Sequence, residues 1–151
     1  MEVLENQKEF LDDFIHLNEE WITTYFELEA ADHALAENPF KIIEDGGYIF
    51  SLASNDRVHG VCSLFYEEDG VFELARMAVS PYSQGKGYGN KLIEAALSKL
   101  SEIGAKRVYL VSNTKLKPAI ELYKKYGFNT IFEGQHPMYS RANIVMSRNV
   151  S

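Results

Sequence analysis

The sequence predicts an α/β fold on a mixed sheet, in which an antiparallel meander is followed by a parallel βαβ crossover and a C-terminal hairpin, with helices on both faces. Three observations predict it. Tyr48 to Ala53, Val58 to Tyr66 and Val71 to Val79 are rich in β-branched and aromatic residues, and only turn chemistry divides them, Ser54-Asn55-Asp56-Arg57 and Glu67 to Gly70. Lys91 to Ile103 places Leu92, Ile93, Ala96, Leu97, Leu100 and Ile103 on one helical face. Arg107 to Ser112 follows as a strand, so a right-handed crossover lays it parallel to Val71–Val79. Glu9 to about Leu28 repeats Phe10, Phe14, Leu17, Trp21, Tyr25 and Leu28 every three or four residues, the stripe of an amphipathic helix.

The elements follow in chain order. Met1 to Glu5 offers only Val3 and Leu4, so a first strand is short or missing. The aromatic stripe after it packs on the sheet or lines a pocket. Asp32 to Ala36 is ambiguous. Asn38-Pro39 reads as an N-cap and a first-turn proline opening a short helix that Gly46 ends. After the meander and the crossover helix, Gly104 stands where a left-handed C-terminal residue belongs. Pro118 opens a further helix and Gly127 closes it. Phe128 to Phe132 then pairs with Asn143 to Ser147 across a longer loop. Repeats, linkers and low-complexity tracts are absent, and residues 1–151 are expected to form one domain.

Composition excludes several functions. A net charge of −7 and the lack of any Lys/Arg cluster argue against gripping nucleic acid, because phosphate neutralisation needs basic side chains on one face. The acidity serves solubility or the attraction of a cationic amine. No run of eighteen apolar residues and no leader pattern occur, so neither membrane spanning nor secretion is expected. Cys62 is the only cysteine and lies in an apolar run, which fits a buried side chain in a reducing, cytoplasmic compartment. His16, His33, His59 and His136 lack metal-ligand spacing, and no metal site is expected.

The chemistry concentrates where the third strand meets a glycine-rich turn and a helix start. Pro81 ends ladder donation, and Ser83, Gly85, Gly87 and Gly89 supply a flexible backbone whose free N–H groups, at the positive end of a helix dipole, favour a phosphate or pyrophosphate. A dinucleotide fingerprint starting at Gly85 would need glycine at 90, where Asn90 stands, and no G-x-x-x-x-G-K-[ST] loop is present. What is present is Gln84-Gly85-Lys86-Gly87-Tyr88-Gly89, a [QR]-x-x-G-x-[GA] pattern after Met77-Ala78-Val79. Downstream come Asn113, Ala119-Ile120-Glu121-Leu122-Tyr123 and Lys125-Tyr126-Gly127-Phe128. From Glu73 to Phe128 the chain resembles the GNAT family of N-acetyltransferases.

The resemblance implies an acetyl-CoA-dependent N-acetyltransferase that acts on a primary amine of a small molecule or peptide by direct transfer, or else a non-catalytic acyl-CoA sensor using the same cradle. It implies that Met77 and Val79, flanking Ala78, bond the pantetheine arm through their main chain, and that Gln84, Gly85, Lys86, Gly87, Tyr88 and Gly89 hold the pyrophosphate. Asn113 would bond pantetheine, or else cap a turn. Unbroken alternation puts Val71, Glu73, Ala75, Met77 and Val79 on one face of their strand. A carboxylate among apolar neighbours has a raised pKa, which suits a general base, so Glu73 is either that base or an ion-pair partner. The family's base glutamate matches its register. Tyr123 is a core aromatic or, as its place in the L-Y-x-x-x-G-F segment implies, the acid for the leaving thiolate. Partners are then acetyl-CoA and an amine, with the chain a monomer or a homodimer.

Overall fold

The computed structural model describes residues 1–55, 57–136 and 140–150. Seven strands form one sheet: β1 (Glu2–Glu5), β2 (Tyr48–Ser54), β3 (Arg57–Tyr66), β4 (Val71–Val79), β5 (Arg107–Ser112), β6 (Asn129–Glu133) and β7 (Ile144–Asn149), in the order β1-β2-β3-β4-β5-β7-β6. The helices are α1 (Leu11–Tyr25), α2 (Ala30–Glu37), α3 (Lys41–Glu44), α4 (Tyr88–Glu102) and α5 (Lys117–Lys125). The meander, the parallel β4–β5 crossover and the terminal β6–β7 hairpin are as the sequence predicts. Asp56 of the first meander turn lies outside the described residues.

A first strand does exist. Val3 and Leu4 pair with Leu52 and Ser51, so four residues suffice once β2 offers a ready edge. The 32–36 stretch is helical as α2. Its start is an unusual one, for the Asp32 carboxylate reaches back to accept the Glu29 N–H at 2.8 Å, where a sequence reader looks for Ser or Thr with Glu.

The sheet separates two apolar clusters. On one face Leu92, Ile93, Ala96 and Leu100 of α4 pack with Phe50, Leu64, Phe72, Leu74 and Val108. On the other, Phe14 of α1 and Ile42 of α3 pack with Ile49, Val61 and Ala78. Leu92, Ile93 and Leu100 are fully buried, each contributing about 1.5–3 kcal/mol against exposure, and this anchors α4 and the turn before it.

Two irregularities in β4 position the site. Its alternation is broken, because Arg76 is left-handed at φ 60° and the register with β3 slips between Val61 and Ser63. Phe72 and Leu74 therefore face the α4 cluster, and past the bulge Met77 and Val79 face it too, while Ala78 turns to α1. The unbroken alternation expected from sequence is thus corrected: Glu73 and Met77 lie on opposite sides of the bulge and do not share a face. Secondly, β4 and β5 pair only at Val71–Arg107, Phe72–Val108 and Glu73–Tyr109, after which they part. The sheet is split from Leu74 onward, and one edge of β4 is left without a strand.

Candidate active site

That open edge continues into the glycine turn. The Ser80 N–H bonds the His59 carbonyl at 2.8 Å, so with period two Ser80 and Ala78 direct their main-chain groups to β3. Met77 and Val79 direct theirs into the split, where an extended ligand arm can bond them as an added strand does. After Pro81–Ser83 the chain turns through Gly85 (φ 80°) and Gly87 (φ 77°), left-handed positions that glycine takes without a Cβ penalty. The first main-chain bond into α4 is Lys91 N–H to Gly87 O at 3.4 Å, so the N–H groups of Gly87, Tyr88, Gly89 and Asn90 have no main-chain acceptor. Gln84, Gly85, Lys86 and Gly87 are exposed. The cradle fits a pyrophosphate, with α4's dipole behind it and the exposed Lys86 in the turn itself.

His59 pins the base of this turn, a feature the sequence reading missed. Its ring nitrogens bond Ser54 Oγ at 2.8 Å and Ser83 Oγ at 3.1 Å, and its ring lies 5.8 Å from that of Tyr88.

Where β4 and β5 part, a cavity of about 120 Å³ opens, lined by Trp21, Phe26, Glu73, Met77, Asn113 and Tyr123 among others. The structure thus brings the two proposed proton-transfer residues to one cavity. Tyr123 packs edge-on against Phe128, with ring centroids 6.1 Å apart. Burial pushes its hydroxyl up to about 12, which keeps the O–H protonated near neutrality. Asn113 is already engaged: its Oδ1 accepts the Lys115 N–H at 3.0 Å and its Nδ2 donates to the Arg141 carbonyl at 2.8 Å. Its side chain holds the turn after β5, so a ligand arm would have to share it.

Glu73 sits on β4 opposite Tyr109 of β5. Burial pushes its carboxyl up to about 7, the nearby Glu67 charge adds to this, and Arg76 and the Tyr109 hydroxyl oppose it. The Tyr109 hydroxyl donates to Glu67 Oε1. Neither Glu67 nor Glu73 forms a salt bridge among the described residues.

Beside them lies a balanced ionic knot. The buried Asp32 accepts from Arg76 Nη1 and twice from Arg141, at 2.6 and 2.8 Å, and Arg141 also meets Glu29 at 3.2 Å. Burial would raise the Asp32 carboxyl, but the Arg141 bonds, the Glu29 N–H and Arg76 outweigh it and hold it at about 2. The knot ties α2 to the β4 bulge and to the segment before β7. Sequence reasoning missed Glu67, Tyr109, Asp32 and Arg141. Register could have found Tyr109, since aligning Val71 with Arg107 sets Glu73 beside it. Among the described residues no group of three or more His, Cys, Asp or Glu side chains could hold a metal ion, and no helix is long and apolar enough to cross a membrane.

Comparisons with known proteins agree with this geometry. Residues 11–128 match the model of the acetyltransferase (GNAT) family. The chain is 39% identical over 72 residues to the uncharacterized N-acetyltransferase YjgM of Escherichia coli, covering 48% of this chain and 43% of that protein. It is 29% identical over 130 residues to the [ribosomal protein bS18]-alanine N-acetyltransferase of Haemophilus ducreyi, covering 80% and 88%. Thus it spans less than half of the first relative and most of the second. Among solved structures, a GNAT-family acetyltransferase from Staphylococcus aureus superposes with TM-score 0.87 at 19% identity, covering 99% and 98% of the two chains. An aminoglycoside 6′-N-acetyltransferase complexed with coenzyme A superposes with TM-score 0.78 at 14% identity, covering 100% and 98%. The chain belongs to the acetyltransferase (GNAT) family, acyltransferases that acetylate amines from acetyl-CoA.

Proposed function

We propose that this chain transfers the acetyl group of acetyl-CoA directly to a primary amine, with Glu73 as general base and Tyr123 as general acid. The observation that carries the reading is that both side chains line one cavity at the point where β4's free edge begins. Met77 and Val79 would hold the pantetheine arm through their main chain, while the main-chain groups of Ala78 between them face β3. Gln84 to Gly89 would hold the pyrophosphate, and Asn113 would frame the arm's far side. Residues 1–151 would act as one acetyltransferase unit, as a monomer or a homodimer. Cys62, buried and with its thiol pushed up by burial, suits a reducing cytoplasm.

Proton accounting assigns the roles. An alkyl ammonium near pKa 10.4 is not nucleophilic, so one proton must leave first, and a carboxylate titrating at about 7 can take it and return it to solvent. The C–N bond then forms as the C–S bond breaks. The departing sulfur takes the Tyr123 proton, and the second proton lost from nitrogen refills the phenolate. One N–H stays on the amide.

Thiol release from acetyl-CoA over a panel of primary amines tests the function, with Tyr123→Phe as its partner. That variant keeps the ring packing on Phe128 and loses the acid, so kcat should fall about 10²- to 10⁴-fold while coenzyme A affinity holds. An unchanged kcat with a good acceptor would return Tyr123 to the core.

A further inference from the structure

A second cavity, of about 490 Å³, opens on the other side of Glu73 and shares Phe65, Glu73, Arg76 and Val111 with the cleft. Glu73 is therefore one of four residues on the wall between two chambers, and the one among them with a carboxylate. The smaller holds Tyr123 and the free edge of β4, while the larger is floored by Glu73, Glu67 and Tyr109 and walled by Ala31, Leu35 and Ile42. Its volume suits a small organic molecule, and its wall of small and branched side chains suits an apolar body.

Charge accounting decides what enters. Lys41, on the rim, is paired with Asp45 at 3.0 Å. Arg76 and Arg141 are matched by Asp32 and Glu29. The carboxylates that face the chamber without an ion pair among the described residues are Glu67 and Glu73, and the Tyr109 hydroxyl donates to Glu67. Glu67 stands just past the end of β3 on the exposed side, with Glu73 deeper on β4. An ammonium entering along the apolar wall meets Glu67 first and Glu73 last, which is the order that proton removal next to the thioester requires.

We propose that this larger chamber is the acceptor site, and that it selects a small primary ammonium on an apolar body with no carboxylate beside the amine, Glu67 being the residue that enforces the choice. The proposal rests on the direct-transfer reading above. An α-amino acid would bring its own carboxylate to within reach of Glu67 and Glu73, where like charges in a partly desolvated site repel strongly. Tyr109 acts as a positioning residue, since its hydroxyl holds the Glu67 carboxylate over the chamber.

Calorimetry on the full chain saturated with coenzyme A tests this with two matched pairs: 1,5-diaminopentane against lysine, and 2-phenylethylamine against phenylalanine. Within each pair only the α-carboxylate differs. In at least one pair the decarboxylated amine should bind at least about tenfold tighter, and Glu67→Gln should shrink that preference to about threefold or less. Glu67 is exposed, so the variant should fold as the parent does. Equal binding within both pairs, preference for the amino acids, absence of amine binding, or a preference that survives Glu67→Gln would each overturn the proposal. The coenzyme A titration that precedes each run separates the two readings. If coenzyme A fails to bind, the direct-transfer reading falls, whereas bound coenzyme A with no amine preference removes the acceptor proposal alone.

Discussion

The two ends of the split sheet are built by different means. At the coenzyme end, one continuous stretch from Met77 to Ile93 does nearly everything: a free strand edge, a turn with two left-handed glycines, and a helix start held down by Leu92 and Ile93. The ligand groups proposed there are main-chain N–H and C=O, available whatever the side chains. At the end proposed to take the acceptor, Glu67, Glu73 and Tyr109 come from the β3–β4 turn, β4 and β5 and line the chamber with their side chains, while Asp32 of α2 and Arg141 before β7 tie the segments beside it. A main-chain site keeps one ligand over large sequence change, while a side-chain site assembled from distant segments is free to change its substrate.

Breaking each end should therefore look different. The largest effect is expected from Asp32→Asn at the acceptor end, because two arginines lose a buried counter-charge, costing about 3–5 kcal/mol of stability. Melting curves measure it. The wild type carries the same interaction as a pH dependence. Asp32's carboxyl is held at about 2 in the folded chain against 3.8 otherwise, so its stabilisation of about 2 kcal/mol is present above pH ~4 and lost as pH falls towards 2. Asp32→Asn should flatten that acid limb, and an acid limb unchanged in the variant would take Asp32 out of the knot.

A smaller effect, confined to binding, is expected at the coenzyme end. A Cβ on Gly87 would meet only Asn90 Nδ2, at 3.8 Å, so room is not the obstacle; the φ of 77° is. Gly87→Val would have to leave the left-handed region and rotate the N–H cradle, raising the Kd for coenzyme A about a hundredfold with the sheet intact. Wild-type affinity in that variant would show that the ligand is not held at this turn.

The same contrast explains what could be read from the chain. The coenzyme end was legible because its signal is local: glycine spacing, a strand before it, a periodic helix after it. The acceptor end was not, because Glu67 reads as one more acidic turn residue and Asp32 lies in a segment whose helix start follows no common capping pattern. Arg76 shows the limit most clearly. In the sequence it is a polar residue in an apolar strand, and nothing local announces that it turns left-handed and reverses the faces beyond it. That reversal lets Glu73 face the acceptor chamber while Met77 packs on the α4 side with its main chain at the open edge. Asn113 matched its motif in identity, yet its amide oxygen is taken by the Lys115 N–H of its own turn and its amide N–H by the distant Arg141 carbonyl, a tertiary contact that the motif does not reveal.

The claim on which both ends depend is that Glu73, between the chambers, takes the amine's proton. The direct measurement is kcat/KM for one good acceptor from about pH 5.5 to 9, in the wild type and in Glu73→Gln, with coenzyme A affinity followed alongside. Below the carboxyl's value of about 7 the base is protonated and inactive, so wild-type activity should rise through that pH. Ionisation of the acceptor itself adds a later rise shared by both proteins. Glu73→Gln should lose the limb near 7, run about 10²- to 10⁴-fold slower, and bind coenzyme A normally. A variant with the same inflection near 7 and the same rate would contradict the account and leave water as the base.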